Sequence, residues 1–208
     1  MSDAVGSRRI VLATRNAHKV VELRRILRAA GLGNVELIGL ESFPELPEVP
    51  ETGATFEANA LLKARAVAAA TAEVAVADDS GLAVDALNGM PGVLSARWSG
   101  GLGDRANLDL VLAQILDVPD ERLGASFECA AAAVFPDGRE LVVRGQLTGR
   151  ISRTPRGSNG FGYDPIFVPD GGDRTTAQLE ADEKDAISHR GVAFRQLAEQ
   201  LRRAWSPA

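Results

Sequence analysis

Thiols are scarce in this chain: Cys129 is the single cysteine in 208 residues. One thiol excludes an intramolecular disulfide and any CxxC metal site, and its apolar, strand-like surroundings read as a buried core position. Long apolar runs are missing too. Nothing approaches the roughly 18 residues of a membrane span, and residues 1–9 hold no run of signal-peptide length. The expectation is a cytoplasmic protein with no membrane partner. A third absence is the Walker A pattern G-x-x-x-x-G-K-[ST], which counts against a P-loop ATPase or kinase. Repeats and low-complexity tracts do not occur. Positive charge is not in excess either: 23 Lys and Arg stand against 28 Asp and Glu, a formal net charge of −5. That balance argues against a nucleic acid as partner, while leaving room for a locally basic pocket that takes a small phosphorylated molecule.

What is present is an ordinary globular composition, 45% hydrophobic and 25% charged. It provides core enough for one domain or two closely joined lobes; residues 1–208 are read as a single domain, with residues 1–8 as a flexible N-terminus. The stretch that organises it is Val74–Val84, V-A-V-A-D-D-S-G-L-A-V. Small and β-branched residues predict a buried strand that stops at Asp78 and Asp79, followed by Ser80 and a turn at Gly81. In α/β sheets ligands sit beyond the carboxyl ends of strands, so an acidic pair there faces the ligand crevice. Successive strand residues point to opposite faces, which gives the two carboxylates different tasks. One can hold a hard cation such as Mg²⁺ or polarise a water while the other braces the loop. A turn that merely caps the strand uses the same residues.

Elsewhere the pattern is strand, then helix. Residues 10–14 read as a buried strand and residues 16–30 as a helix with Val20, Leu23, Leu27 and Ala30 on one face, closed by Gly31. Between them, Thr14-Arg15-Asn16-Ala17-His18-Lys19 places free backbone N–H groups and a lysine at a helix N-terminus, a natural seat for phosphate; taken alone, a capping asparagine and a surface lysine give the same pattern. A strand near residues 35–38 precedes an exposed loop broken by Pro44, Pro47 and Pro50. Glu51 stands at that loop's exit, where it could join Asp79 in holding Mg²⁺. A helix over residues 55–70 turns Phe56, Ala60, Ala64, Val67 and Ala68 inward and Lys63 and Arg65 outward, and Asn59 could be a buried hydrogen-bonding group. Residues 90–100 form a rigid, glycine-punctuated loop, and residues 107–116 an amphipathic helix. Residues 125–135 and 140–151 predict a long hairpin around Pro136-Asp137-Gly138, its Ala130–Ala133 run leaving room for a close neighbour. In Gly160-Phe161-Gly162-Tyr163-Asp164-Pro165 the glycines specify a tight loop presenting an aromatic ring that suits stacking on a base. Ser188 reads as an N-cap. Lys184, His189 and Arg190 around it read, in isolation, as the solvated start of a last helix over residues 192–204.

Taken in order, Thr14-x-Asn16-x-x-Lys19, Asp78-Asp79-Ser80-Gly81-Leu82, Gly160-Phe161-Gly162-Tyr163-Asp164-Pro165 and Ser188-His189-Arg190-Gly191 resemble the inosine triphosphatase family of XTP/dITP diphosphatases. The resemblance spans residues 10 to about 201. It implies an α/β fold with an elongated central mixed sheet flanked by helices and two lobes with the active-site cleft between them. It also implies a homodimer, and Mg²⁺-dependent hydrolysis of the small-molecule purine nucleoside triphosphates ITP, dITP and XTP to monophosphate and pyrophosphate. Carried over by residue, it makes Asp79 the proton acceptor and a metal ligand, with Glu51 the acid of a Glu-Thr-Gly segment. It places Asn16 and Lys19 on the triphosphate and Thr14, Arg15, Ala17, His18 and Ser80 on the substrate. Phe161, Gly162, Tyr163, Asp164, Lys184, His189 and Arg190 fall to nucleoside recognition. Two departures stand out: Pro50 occupies a position where relatives can carry a second acid, and Glu57 stands one residue before the position, Ala58, where relatives often have glutamate. That is a rotation of about 100° on a helix, so Glu57 receives no role.

Base selectivity follows from the donors. Hypoxanthine and xanthine present an oxygen at position 6 where adenine presents an amino group, and Arg190 and Lys184 can donate only to the oxygen. Guanine shares the 6-oxygen, so its rejection requires a further element. Two other readings fit part of the pattern: a Maf-like pyrimidine nucleotide pyrophosphatase, whose opening motif is Ser-rich and ends in Arg, and a non-catalytic nucleotide-binding module that would not need Asp79.

Overall fold

The computed structural model describes residues 8–206, so the expectation for residues 1–8 lies outside it apart from Arg8. Seven strands, β1 (Arg9–Leu12), β2 (Glu36–Gly39), β3 (Val74–Val84), β4 (Met90–Pro91), β5 (Gly124–Val134), β6 (Glu140–Ile151) and β7 (Phe167–Pro169), form one mixed sheet. Its order is β2-β1-β3-β5-β6-β7, with β4 paired to β3. The helices are α1 (Ala17–Leu27), α2 (Phe56–Thr71), α3 (Asp104–Gln114), α4 (Ala181–Ile187) and α5 (His189–Trp205). The chain divides into two compact units: Met1–Asp79 with Ala130–Val143 and Ala193–Ala208, and Ser80–Cys129 with Arg144–Val192.

In the first unit β1 pairs in parallel with both β2 and β3. Ile10, Val11 and Leu12 are fully buried, as apolar residues in a parallel strand flanked by two others must be. The β1–β3 register ends at Leu12 opposite Val76. Beyond that point β1 gives way to α1, capped by Asn16 and buried along Val20, Leu23, Ile26 and Leu27. The helix is shorter than its periodicity suggested: it ends at Leu27 and the chain passes through one wider turn, Arg28–Leu32, in which Gly31 has φ +89°. Helix α2 begins at the cap Thr55 and lays Ala60, Ala64, Val67 and Ala68 into a cluster with Val11, Ala75 and Ala77. Ala130 and Ala132 of β5 belong to the same cluster, so the alanine run of the hairpin makes room for a helix. Methyl-sized side chains on both sides let backbone approach backbone, and an added methylene would cost about 1–3 kcal/mol.

The second unit has its own core, with Leu82, Val84, Leu108, Val111, Ile115, Phe127, Ile166 and Phe167 all buried. One expectation fails here. The strand does not stop at Asp78 and Asp79, and Gly81 makes no turn: β3 runs unbroken through Asp78, Asp79, Ser80 and Gly81 to Val84. Gly81 is required for space, since a Cβ there would lie 2.3 Å from the Gly92 carbonyl oxygen and from Ser95 Oγ. Ser95 Oγ in turn accepts from the Leu82 N–H at 2.9 Å and donates to the Gly92 carbonyl at 2.7 Å, stitching residues 92–95 to the strand.

Candidate active site

The acidic pair is therefore not at the end of its own strand. It lies just past the end of β1, two and three residues beyond the last β1–β3 partner, Val76. Where the parallel neighbour leaves, the side chains of β3 meet the helix that follows it. Asp78, 1% exposed, accepts from Lys19 Nζ of α1 at 3.0 Å. Asp79, 4% exposed, accepts from Asn59 Nδ2 of α2 at 2.8 Å through Oδ2. Adjacent on the chain, the carboxylates have different partners on different helices, as strand alternation requires.

Asn59 is fully buried and works at both ends. Its Oδ1 accepts from the Gly53 N–H at 2.7 Å, tying the loop exit that carries Glu51 to the helix that positions Asp79. Gly53 cannot carry a side chain, because a Cβ would fall 2.7 Å from both Ala58 Cβ and Asn59 Oδ1. One turn further along α2 comes Lys63, on the same face as Asn59. Its Nζ lies 2.6 Å from Glu51 Oε1 and 4.0 Å from Asp79 Oδ1. Lys63 was expected to face outward; it turns inward instead, because two carboxylates offer it more than water does, and its side chain is 14% exposed.

Burial holds the Asp79 carboxyl above its ordinary range, Glu51 pushes it the same way, and Lys63, Asn59 and Lys19 oppose the rise. Lys63 is raised as well: burial works against its charge, but Asp78, Glu51 and Asp79 together outweigh it. A buried carboxylate with a raised pKa beside a second acid is a proton-accepting arrangement. Among the described residues no group of three or more His, Cys, Asp or Glu could hold a metal ion. Two hard carboxylates nevertheless suit Mg²⁺, which usually takes one or two from the protein and completes its shell with waters and substrate phosphates.

The N-terminal loop takes the capping alternative. The N–H groups of His18 and Lys19 are not free for phosphate but donate to Asn16 Oδ1 at 3.0 and 3.2 Å, since an asparagine at the N-cap satisfies those orphan donors itself. Thr14 Oγ1 accepts from the Asn16 N–H, Arg15 reaches the Leu46 carbonyl, and Ala17 opens the helix.

The second unit gathers the remaining candidates. Lys184, His189 and Arg190 are buried, contrary to a solvated helix start. Ser188 does cap α5, accepting from the Gly191 N–H at 2.9 Å. Lys184 Nζ and the Arg190 guanidinium lie 5.3 and 5.5 Å from the Phe161 ring centre. Arg190 also donates to Ser80 Oγ at 2.7 Å, and the His189 ring stacks on Phe127 at 4.8 Å. The loop holding Phe161 is fixed from several sides. Asp164 accepts from Lys184 Nζ at 2.6 Å, from the Phe161 N–H at 2.8 Å and from Thr176 Oγ1 at 2.8 Å. Asp104 accepts from the Gly162 N–H at 2.9 Å, and buried Tyr163 donates its hydroxyl to the Ser95 carbonyl. Sequence reasoning missed Lys63, Thr176 and Asp104. Only Lys63 left a trace, its spacing of four from Asn59.

Comparison with known proteins shows the family. Residues 10–200 match the model of the Ham1 family. A dITP/XTP pyrophosphatase of Nocardia farcinica is 63% identical over 194 residues, covering 93% of this chain and 94% of that one. The crystal structure of a nucleoside-triphosphatase, or dITP/XTP pyrophosphatase, from Mycobacterium abscessus superposes with a TM-score of 0.73 at 58% identity, covering 93% of this chain and 98% of that one. A HAM1 protein from Coxiella burnetii gives 0.84 at 41% identity, with 94% and 99% covered. With the match running from β1 into α5, this chain belongs to the Ham1 family.

Proposed function

We propose that this chain hydrolyses dITP, ITP and XTP to the monophosphate and pyrophosphate, with Mg²⁺, and so clears deaminated purines from the nucleotide pool. The observation that carries the reading is Asp79: a buried carboxyl with a raised pKa, clamped by Asn59 beside Glu51 and Lys63. Its relatives at this level of identity bear the name dITP/XTP pyrophosphatase. Asp79 accepts the proton of the water that attacks the α-phosphorus. Lys19, steadied by Asp78, neutralises charge on the triphosphate. Asp79 and Glu51, with phosphate oxygens, would hold Mg²⁺, which would supply positive charge to offset the build-up on the leaving pyrophosphate.

Base recognition belongs to the second unit. Lys184 and Arg190 donate to the 6-oxygen, and adenine would leave these buried donors opposite an amino group. A site built on such bonds can reject the analogue that fails to make them by up to ~10⁴-fold. We read residues 1–208 as one functional domain, and the family resemblance favours a cytoplasmic homodimer. The test is pyrophosphate release with Mg²⁺ from dITP, XTP, ATP, GTP and dTTP. Cleavage of dITP and XTP is expected with the standard nucleotides spared. Phosphate in place of pyrophosphate as product, or a preference for dTTP, would overturn the assignment.

A further inference from the structure

We infer that Lys63 is a placeholder cation: without nucleotide its ammonium stands between Glu51 and Asp79 where a divalent ion would go, and it keeps such ions weakly bound until a triphosphate arrives. The inference rests on the metal-assisted reading above and adds an order of events to it. The Lys63 ammonium lies 2.6 Å from Glu51 Oε1 and 4.0 Å from Asp79 Oδ1, while Asp79 Oδ2 is held by Asn59. Mg²⁺ needs carboxylate oxygens at about 2.0–2.1 Å. An ion that close to Glu51 Oε1 would share an oxygen with an ammonium already in contact with it. Two cations so close together repel each other, so binding of the ion drives Nζ away from Glu51.

Charge balance points the same way. Glu51, Asp79 and Lys63 together carry one net negative charge, and a divalent ion would convert it to one positive. Asp78 acts on Lys63 as well, but with Lys19 at 3.0 Å the pair adds no net charge, so the balance stands. Half-buried charges interact strongly, so the protein alone is a poor host for the ion. A triphosphate reverses this: its oxygens complete the metal shell and give the displaced ammonium a new partner. Metal and nucleotide then strengthen each other's binding, each to the same extent.

The test is Mn²⁺ binding to the full chain, followed by electron paramagnetic resonance or calorimetry, with no nucleotide present. Lys63→Met keeps the length of the side chain and removes its charge, and it should bind Mn²⁺ at least about tenfold more tightly than the native protein. That is roughly 1.4 kcal/mol, a modest share of the repulsion removed. Lys63→Arg keeps the charge and should bind no more tightly than native. If Lys63 merely braces the site, Lys63→Met should bind Mn²⁺ equally or less well, and that result overturns the inference. A parallel titration includes the α,β-methylene analogue of dITP, which cannot be cleaved. Native protein that binds Mn²⁺ only with the analogue supports the order of events. If Mn²⁺ fails to bind native protein even then, the metal-assisted reading falls too, which separates its failure from failure of the inference alone.

Discussion

The same two chemical groups meet twice in this molecule at the same separation. Glu51 contacts Lys63 in the first unit and Asp164 contacts Lys184 in the second, each at 2.6 Å. Their surroundings differ. Asp164 is 3% exposed and its oxygens already accept from an ammonium, a backbone N–H and a hydroxyl, so the pair is a finished part of the wall that fixes Phe161. Around Lys63 the second carboxylate, Asp79, stands back at 4.0 Å with its pKa raised by burial and by Glu51. A satisfied buried network rigidifies, whereas a buried carboxyl raised by desolvation, with an ammonium standing off from it, is poised to change partners or protonation. On the proposed reading, the first unit therefore carries the reactive pair and the second the recognition frame.

The sharpest way to break that contrast is Asp79→Asn. Loss of a positioned base should lower kcat by about 10²–10⁴-fold, measured as pyrophosphate release from dITP. The same substitution should raise Tm at neutral pH without metal, because a buried carboxylate with a raised pKa opposes folding once ionised. Asp79 contributes most below its ordinary pKa of 3.8, and that contribution is lost as pH rises to its higher folded value. The gain in Asp79→Asn over native should thus fade in acid. A variant that loses both rate and stability at neutral pH would mean that Asp79 is structural.

Asp164→Asn should behave in the opposite way. It removes the carboxylate charge that Lys184 Nζ meets at 2.6 Å, at a cost of about 2 kcal/mol, so urea unfolding should register it. In catalysis KM for dITP should rise by about 10–100-fold, comparable to losing one or two polar contacts, with kcat nearly unchanged and the preference over dATP reduced. A fall in kcat at constant KM would place Asp164 with the reactive pair and dissolve the comparison.

How much of this was legible in the sequence depended on whether neighbours along the chain decided it. The buried strand read over residues 10–14 and found at Arg9–Leu12, the alanine face of α2 and the Ser188 cap follow from local periodicity and capping chemistry. Four motifs located the acids and the loop of Phe161. What could not be read was set by distant partners. Gly81 looked like a turn because its close neighbours, Gly92 and Ser95, come from a later segment. Lys63 looked like surface because a lysine on a helix is solvated by default, and only Glu51 and Asp79 draw it in. Lys184 and Arg190 looked solvated for the same reason, until Asp164 and Ser80 supplied their partners.

Asn59 tests the reactive side more finely. Its amide donates to the charged form of Asp79 and thereby lowers the pKa of that group. Asn59→Ala removes this opposition, so the acid limb of the kcat/KM profile should move to higher pH, together with about a tenfold loss of rate. A loss of rate with the limb unmoved would assign Asn59 only to the Gly53 loop it also holds.

The smallest effect is expected at Asp104, on the recognition side. Its carboxylate accepts from the Gly162 N–H at 2.9 Å, beside Phe161, and stands in the first turn of α3, where a negative charge favours the helix. Both contributions are solvent-accessible, so Asp104→Ala should cost no more than about 1 kcal/mol of stability. The loop keeps its Asp164 bond to Phe161 N–H, and Gly162, at φ +62°, stays in a backbone region glycine adopts freely. KM for dITP should therefore rise by only about fivefold and kcat should hold, read from steady-state kinetics. A larger rise would mean that the frame around Phe161 depends on its exposed tether as much as on its buried one, so that Asp164 alone does not fix the ring.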